Sequence, residues 1–356
     1  MIEKRVNKII NELNENEALL ILSDSNRFYF TGFHSSAGSV LITKDEAYFF
    51  IDFRYFEKAK SVVNSCRVIL CEKRNEQIYN TIKEHRIDTL FIETNYICIN
   101  ELKDLRANFC DIKILDDARF DKIIEEMRSI KGGEELKYIK EAQKLTDKTF
   151  EYIINNIKEG RTEKEIMLDM EFYMRRLGSE GVSFDFIVVS GENSSLPHGV
   201  PTDKPIEKGD FITMDFGAVV NGYRSDMTRT VALGNISEEQ KRVYETVLKA
   251  QIDALSYIKT GAKCNEIDKI ARDVIYSNGY EGCFGHGLGH SVGIDIHEMP
   301  SFSPRCTTVL KTGMVMTVEP GIYIENKFGV RIEDMIFVTD NGFENITKSG
   351  KKLIIL

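Results

Sequence analysis

No stretch of this chain is apolar over the roughly 18 residues that a membrane-crossing helix requires, which removes that class of partner. The N-terminal MIEKRVNKIINELNENE is charged at helical spacing and reads as an amphipathic helix rather than a signal peptide. Basic residues are the minority, 47 Lys and Arg against 56 Asp and Glu, and the formal charge of −9 argues against nucleic acid as a partner. No CxxC pair occurs among the seven irregularly spaced cysteines. They fit reduced packing thiols in a cytoplasmic protein better than a disulfide framework. A phosphate-binding loop, a low-complexity tract and a long linker are all missing. Histidine is scarce as well: there are six, yet three fall within the thirteen residues 286–298, HGLGHSVGIDIHE.

A helix there would put His286 and His290 on one face, but glycines at 287, 289 and 293 oppose it. Each costs a helix about 1 kcal/mol relative to alanine. A glycine-rich bend entering a strand, with backbone packed close around something small, is the expected structure.

A length of 356 residues suggests two domains, and 42% hydrophobic content is ample for two cores. Residues 1–120 alternate short apolar runs with helical patterns, an α/β domain with no catalytic cluster of its own. Strands are expected at 18–24, 89–94 and 111–116, a hairpin over 38–52 turning at Lys44-Asp45, and helices at 56–64 and 75–85. His34 and His85 stand alone there, although His34 lies in a loop of small residues, TGFHSSAG, that can reach a site. Residues 121–356 form the second domain. Helices are expected at 134–158, stopped by Gly160, and at 162–178, where Thr162 and Glu165 make a capping box. Strand patterns begin at 184, and two helices (237–259 and 265–278) precede the histidine stretch. Further strands follow it in MVMTVEP, IYIEN and MIFVTD.

Four carboxylates in this half belong together by register. Asp215 and Asp226 flank Asn221-Gly222, a hairpin turn signal that pairs Val220 with Tyr223 and Gly217 with Asp226. The two aspartates then share a face as diagonal neighbours, roughly 7–8 Å apart. A turn near residue 326 likewise sets Glu319 across from Glu333, with Arg331 on the face of Glu333 and an irregularity at Pro320. Four clustered carboxylates repel one another unless cations neutralise them. Two divalent ions bring the cluster to neutrality where one does not. With His290, the set is oxygen-rich with a single imidazole, which suits Mn²⁺ first and Co²⁺, Fe²⁺ or Zn²⁺ as alternatives. Two ions at such a site support hydrolysis.

Taken together, Asp215, Asp226, His290, Glu319 and Glu333, set in HGLGHSVGIDIHE, GMVMTVEPGIY and GVRIED, resemble the proline peptidases of the pita-bread fold: Xaa-Pro aminopeptidases (aminopeptidase P) and Xaa-Pro dipeptidases (prolidases). NRFYFTGF and IDFRYFEKA resemble that family's creatinase-like N-terminal domain, and SGENSSLPHGVPTD its substrate-histidine loop, so the likeness covers nearly the whole chain. It implies a small N-terminal α/β domain ahead of an α+β pita-bread catalytic domain. It also implies a homodimer in which one subunit's N-terminal domain closes its neighbour's site, acting on short proline-containing peptides. Within the site, it implies that Asp215 chelates one ion, Asp226 and Glu333 bridge both, and His290 and Glu319 complete the second. Glu319 would also shuttle a proton, His198 and His297 would bind the substrate and stabilise the tetrahedral intermediate, His286 would line the pocket, and Arg331 would anchor carboxylates. Methionine aminopeptidases normally lack the N-terminal domain, creatinase-like amidinohydrolases lack the metal set, and binding-only relatives lose ligands. Family dipeptidases often carry HExPR, with an arginine that can hold the terminal carboxylate, whereas this chain has HEMPS, with Ser301 at that place and the next arginine at 305. On that difference the sequence reads as an Xaa-Pro aminopeptidase first and a prolidase second.

Overall fold

The computed structural model describes residues 2–356, which form two compact units that part between Met127 and Arg128. The first unit runs α1 (Ile2–Glu12), β1 (Glu17–Ile21), α2 (Asp24–Thr31), β2 (Ser39–Thr43), β3 (Ala47–Ile51), α3 (Phe53–Val62), β4 (Arg67–Leu70), α4 (Arg74–Glu84), β5 (Thr89–Ile92), α5 (Ile99–Asn108), β6 (Lys113–Leu115) and into α6 (Arg119–Ser129). Its single sheet has the order β4-β3-β2-β1-β5-β6. The expected hairpin is β2–β3, with Ile42 opposite Ala47. β1, β2 and β3 are buried on both faces, so they read as continuous apolar runs rather than alternating ones. NRFYFTGF, which carries part of the family resemblance, is mostly helix. Ser23 caps α2 by accepting from the Asn26 amide, and Gly32, at φ 69°, ends it. β4 leaves no clear strand pattern in the sequence because it is a four-residue edge strand, only half buried.

The second unit holds α7 (Gly133–Ile153), α8 (Glu163–Arg176), β7 (Ile187–Ser190), β8 (Phe211–Phe216), β9 (Val219–Val220), β10 (Tyr223–Arg224), β11 (Met227–Ala232), α9 (Glu238–Tyr257), α10 (Cys264–Ser277), β12 (Gly289–Ser291), β13 (Glu298–Phe302), β14 (Val315–Val318), β15 (Gly321–Ile324), β16 (Phe328–Arg331), β17 (Asp334–Thr339) and β18 (Gly342–Asn345). α8 carries the expected capping box, with Thr162 and Glu165 each bonding the other's backbone amide. α7 stops short of the expected residue 158. The side-chain amides of Asn155 and Asn156 donate to the carbonyls of Glu151 and Tyr152 and so compete with the helix for its last acceptors.

Two larger sheets frame this unit: β11-β8-β7, and β13-β12-β14-β17-β18. The short ribbons β9–β10 and β15–β16 extend from them. One apolar core packs α7 and α8 against β7, β8 and β11, and the other packs α9 and α10 against β14 and β17. The carboxylates sit where the ribbons leave the sheets.

Candidate metal centre

The first hairpin forms in the expected register. Val220 faces Tyr223, Met227 faces Phe216 and Thr228 faces Asp215. The ladder is irregular between the ribbon and the sheet, where the Ser225 amide still donates to the Ala218 carbonyl (3.0 Å), and Asp226 sits there just ahead of β11. Gly217 is required there because a Cβ would run into the Ser225 carbonyl. The second hairpin follows suit. Val318 faces Asp334 in the sheet and Gly321 faces Arg331 in the ribbon, so Glu319 and Glu333 lie opposite each other in the gap that Pro320 opens.

Three backbone links join the hairpins and the histidine stretch. The Glu333 amide donates to the Thr228 carbonyl (3.1 Å), the Glu319 amide to that of Leu288 (2.8 Å), and the His290 amide to Thr317 Oγ1 (3.0 Å). His290 sits in β12 beyond a glycine-rich bend, as expected, and Gly289 lets β12 press against the Thr317 carbonyl. Asp268, held by both ends of the Arg272 guanidinium, accepts from the Leu288 amide, while Arg272 also donates to the carbonyls of Phe284 and His286. The bend is therefore fastened to α10 by an ion pair.

The result is a buried cluster. Ligand atoms of Asp226, His290 and Glu333 all lie within 4.8 Å of one another. His290 Nε2 is 3.3 Å from Glu319 Oε1 and 3.6 Å from Asp226 Oδ2. Asp215 is tied in through Arg331, whose Nη2 donates to its Oδ2 at 2.7 Å. One oxygen each of Asp215, Asp226 and Glu333 is buried and accepts no hydrogen bond from the described residues. Burial, then repulsion from Glu333, Asp215 and Glu319, pushes the Asp226 carboxyl well above its ordinary value, and burial with Glu319 and Asp215 does the same to Glu333. Glu319 goes the other way: burial opposes ionisation, but the bond to His290 and that imidazole's charge bring it down to about 2. Orphaned buried oxygens and mutually repelling acids are what a site for divalent cations leaves behind when only the protein is considered. The residues fit such ions, with oxygen donors and one imidazole.

Around this cluster Arg331 acts as a hub, 3% exposed, donating to Asp215, to Thr228 Oγ1 (3.0 Å), to Tyr323 Oη (2.7 Å) and to the carbonyl of Pro197 (3.1 Å). Tyr323 Oη also meets His286 Nε2 at 3.0 Å, and burial pushes its hydroxyl up to about 12. Tyr323 and Thr228 escaped the sequence reading. The available signals were the two-residue step from Asp226 to Thr228 and the diagonal placing of Tyr323 and Arg331 across the second hairpin, but an isolated Tyr or Thr in a strand is more often packing. His297 lies with its ring 4.4 Å from that of His290, and burial and the His290 charge lower its pKa. Burial likewise lowers His286. His198 is exposed, on the loop that Arg331 holds through Pro197. His297 is placed by its neighbour Glu298, whose carboxylate accepts from Arg128, Lys131 and the amides of Ile294 and Asp295. His85 pairs with Asp45 and Tyr48 in the first unit, a structural contact.

Residues 137–340 match metallopeptidase family M24, and residues 4–130 match the creatinase/prolidase N-terminal domain. The chain belongs to metallopeptidase family M24. It is 40% identical over 361 residues to an Xaa-Pro dipeptidase of Pyrococcus horikoshii, covering 99% of each chain. To an Xaa-Pro dipeptidase of Pyrococcus furiosus it is 38% identical, covering 99% of this chain and 100% of the relative. A solved Xaa-Pro dipeptidase from Bacillus anthracis superposes with a TM-score of 0.94 at 40% identity, over 100% of this chain and 99% of that one. An X-Pro aminopeptidase from Thermotoga maritima does so at 0.91 and 34%, over 99% and 100%. The expected two-domain pita-bread fold is thereby met, and the M24 protein described here is a metallopeptidase that works with divalent metal ions.

Proposed function

We infer that the chain hydrolyses Xaa-Pro dipeptides, and the observation that carries this is full-length similarity to two proteins named Xaa-Pro dipeptidases. This reverses the order in which the sequence alone ranked the two activities. The M24 aminopeptidase reading keeps one specific support: Ser301 pairs directly with His290 across β12 and β13, on the same face, and its hydroxyl contacts Ser303 rather than bringing a cation to the site. Arg305, the next arginine, is exposed beyond the end of β13.

In this reading Asp215, Asp226, His290, Glu319 and Glu333 hold two ions, Mn²⁺ in first place. Ions held by these residues would supply Lewis-acid activation of water and of the substrate carbonyl. The chain's own residues do the rest. Glu319, its carboxylate held low beside His290, would carry a proton to the proline nitrogen as the peptide bond breaks. His198 and His297 donate to the carbonyl oxygen as it gains charge. Both imidazoles are exposed, so a ring nitrogen of each can face the substrate. Arg331 holds Asp215 and, through Pro197, the loop that carries His198. An Xaa-Pro bond has no N–H, and none of these roles asks for one. A homodimer located in the cytoplasm belongs to the same proposal.

The test compares kcat/KM for Xaa-Pro dipeptides and Xaa-Pro-Xaa tripeptides sharing the first residue, with metal content measured in parallel. Dipeptide preference supports prolidase, and equal or better tripeptide cleavage restores aminopeptidase. Asp226→Ala and Glu333→Ala should each lose most bound metal and activity while remaining folded, and full activity in either would overturn the two-ion assignment. Sedimentation of the purified protein reads the dimer.

A further inference from the structure

Three of the seven cysteines, 264, 283 and 306, gather at the α9–α10 core, although the sequence spaces them irregularly. Two of these are close together. Cys264 is the first residue of α10 and fully buried, and its thiol and that of Cys306 lie near enough to influence each other's ionisation. The backbone holds them in this position. Lys263 and Val309 form an antiparallel bridge, the Cys264 amide donates to the Thr308 carbonyl (3.0 Å), and the Asn265 amide donates to the carbonyl of Cys306 (2.9 Å). No disulfide joins them in the structure.

The two thiols differ in character. Cys306 is half-buried, in a segment whose neighbours Arg305, Thr307 and Thr308 are exposed, so it is the one a solute can reach. Burial works against its ionisation, but bonds from Thr308 and from the backbone of Ser301 outweigh it and hold the thiol below its ordinary value. Burial raises Cys264 instead. An accessible, more acidic thiol beside a buried one is the arrangement of an attacking and a resolving cysteine.

We propose that Cys264 and Cys306 are a redox-active dithiol that closes into a reversible disulfide when the protein meets a hydroperoxide or a low-molecular-weight disulfide. With a hydroperoxide, the Cys306 thiolate attacks the terminal oxygen, leaving a sulfenic acid and releasing an alcohol or water. The Cys264 sulfur then displaces the sulfenic oxygen, and its proton leaves with that oxygen as water. Two thiols are oxidised and one peroxide is reduced. With a small disulfide, Cys306 attacks one sulfur and expels the first thiol, and Cys264 then expels the second. The ring so closed runs from 264 to 306 and encloses His286, His290 and His297, so one bond staples the whole histidine stretch. A bond of this reach constrains the unfolded chain more than the folded one.

The test uses the full-length metal-loaded protein, treated with hydrogen peroxide or glutathione disulfide, alkylated, and cut after Lys and Arg. The expected product is a cross-link between peptides 264–269 and 306–311, lighter by two hydrogens and reversed by a thiol reductant. Thermal unfolding of the oxidised protein should lie several degrees above that of the reduced protein, a difference absent in Cys306→Ser. In Cys264→Ala, Cys306 should instead stop at a stable glutathione adduct. The proposal is overturned if both thiols are still alkylated under conditions that oxidise the exposed Cys98 and Cys110, or if Cys306 pairs with any other cysteine. Those two readings come from the unsubstituted protein and stand even if a variant fails to fold.

Discussion

Thr228 offers a sharp test of how the cluster is held. Its hydroxyl donates to Glu333 Oε2 at 2.8 Å and accepts from Arg331 Nε at 3.0 Å, in a position with no solvent exposure. Thr228→Val keeps the branched shape and removes only the hydroxyl. With metal bound, Glu333 is ionised and the lost bond is charge-assisted, worth about 1.5–3 kcal/mol, whereas a neutral bond in the metal-free protein is worth about 0.5–1.5 kcal/mol. The difference, roughly 1–1.5 kcal/mol, is the part that couples to the ions and corresponds to about tenfold weaker metal binding. That agrees with the roughly 10–100-fold cost usual for groups that orient a metal ligand. The unpaired Arg331 Nε adds a cost common to both forms, so the loaded protein should lose about 3 kcal/mol in all. Titrating stripped protein with Mn²⁺ in a metal buffer reads the first number, and urea unfolding with and without metal reads the second. Metal affinity unchanged within a factor of two in a folded variant would mean that this bond does not orient Glu333, and the argument from geometry would fail.

Other expectations follow from the same contacts. His198→Ala and His297→Ala should keep their metal and lose roughly 10²–10³ in kcat, and metal loss from either would place that residue among the ligands. Ser301→Arg should shift kcat/KM towards dipeptides, since a charged bidentate partner binds a terminal carboxylate about twice as strongly per bond as a neutral hydroxyl; no shift would remove Ser301 from specificity. Burial pushes Glu298 up, but Lys131 and Arg128 outweigh it and depress the carboxyl from 4.5 to about 2. A depressed carboxyl contributes stability above its unfolded value that is lost as pH falls through the folded one. Between about pH 4.5 and 2 this group should therefore cost the fold on the order of 3 kcal/mol. Glu298→Gln should flatten that limb of an acid unfolding curve, and an unaltered limb would refute the assignment.

Much of the site was legible because β register is arithmetic. Asn221-Gly222 fixed one turn and the stretch near 326 the other, and counting back from each put Asp215 beside Asp226 and Glu319 across from Glu333, as found. The capping box at Thr162 was legible for the same local reason. What stayed hidden depends on partners remote in sequence. Arg331 could be placed on a face, but not on Asp215, Tyr323 and Pro197, because nothing nearby in the sequence specifies contacts between separate hairpins. α2 was hidden because FYF in a buried eight-residue helix has no apolar period to read.

The second hairpin has a consequence for how such a chain can change over generations. Its tip, around Asn326 at φ 56°, is exposed, and residues added there leave both arms in step. Along the arms, one unmatched insertion between Glu319 and the tip would turn a carboxylate to the opposite face. The two acids sit on opposite arms, so each keeps its place only while the register of both arms is kept. Length variation should therefore collect at the loop end and be purged from the base.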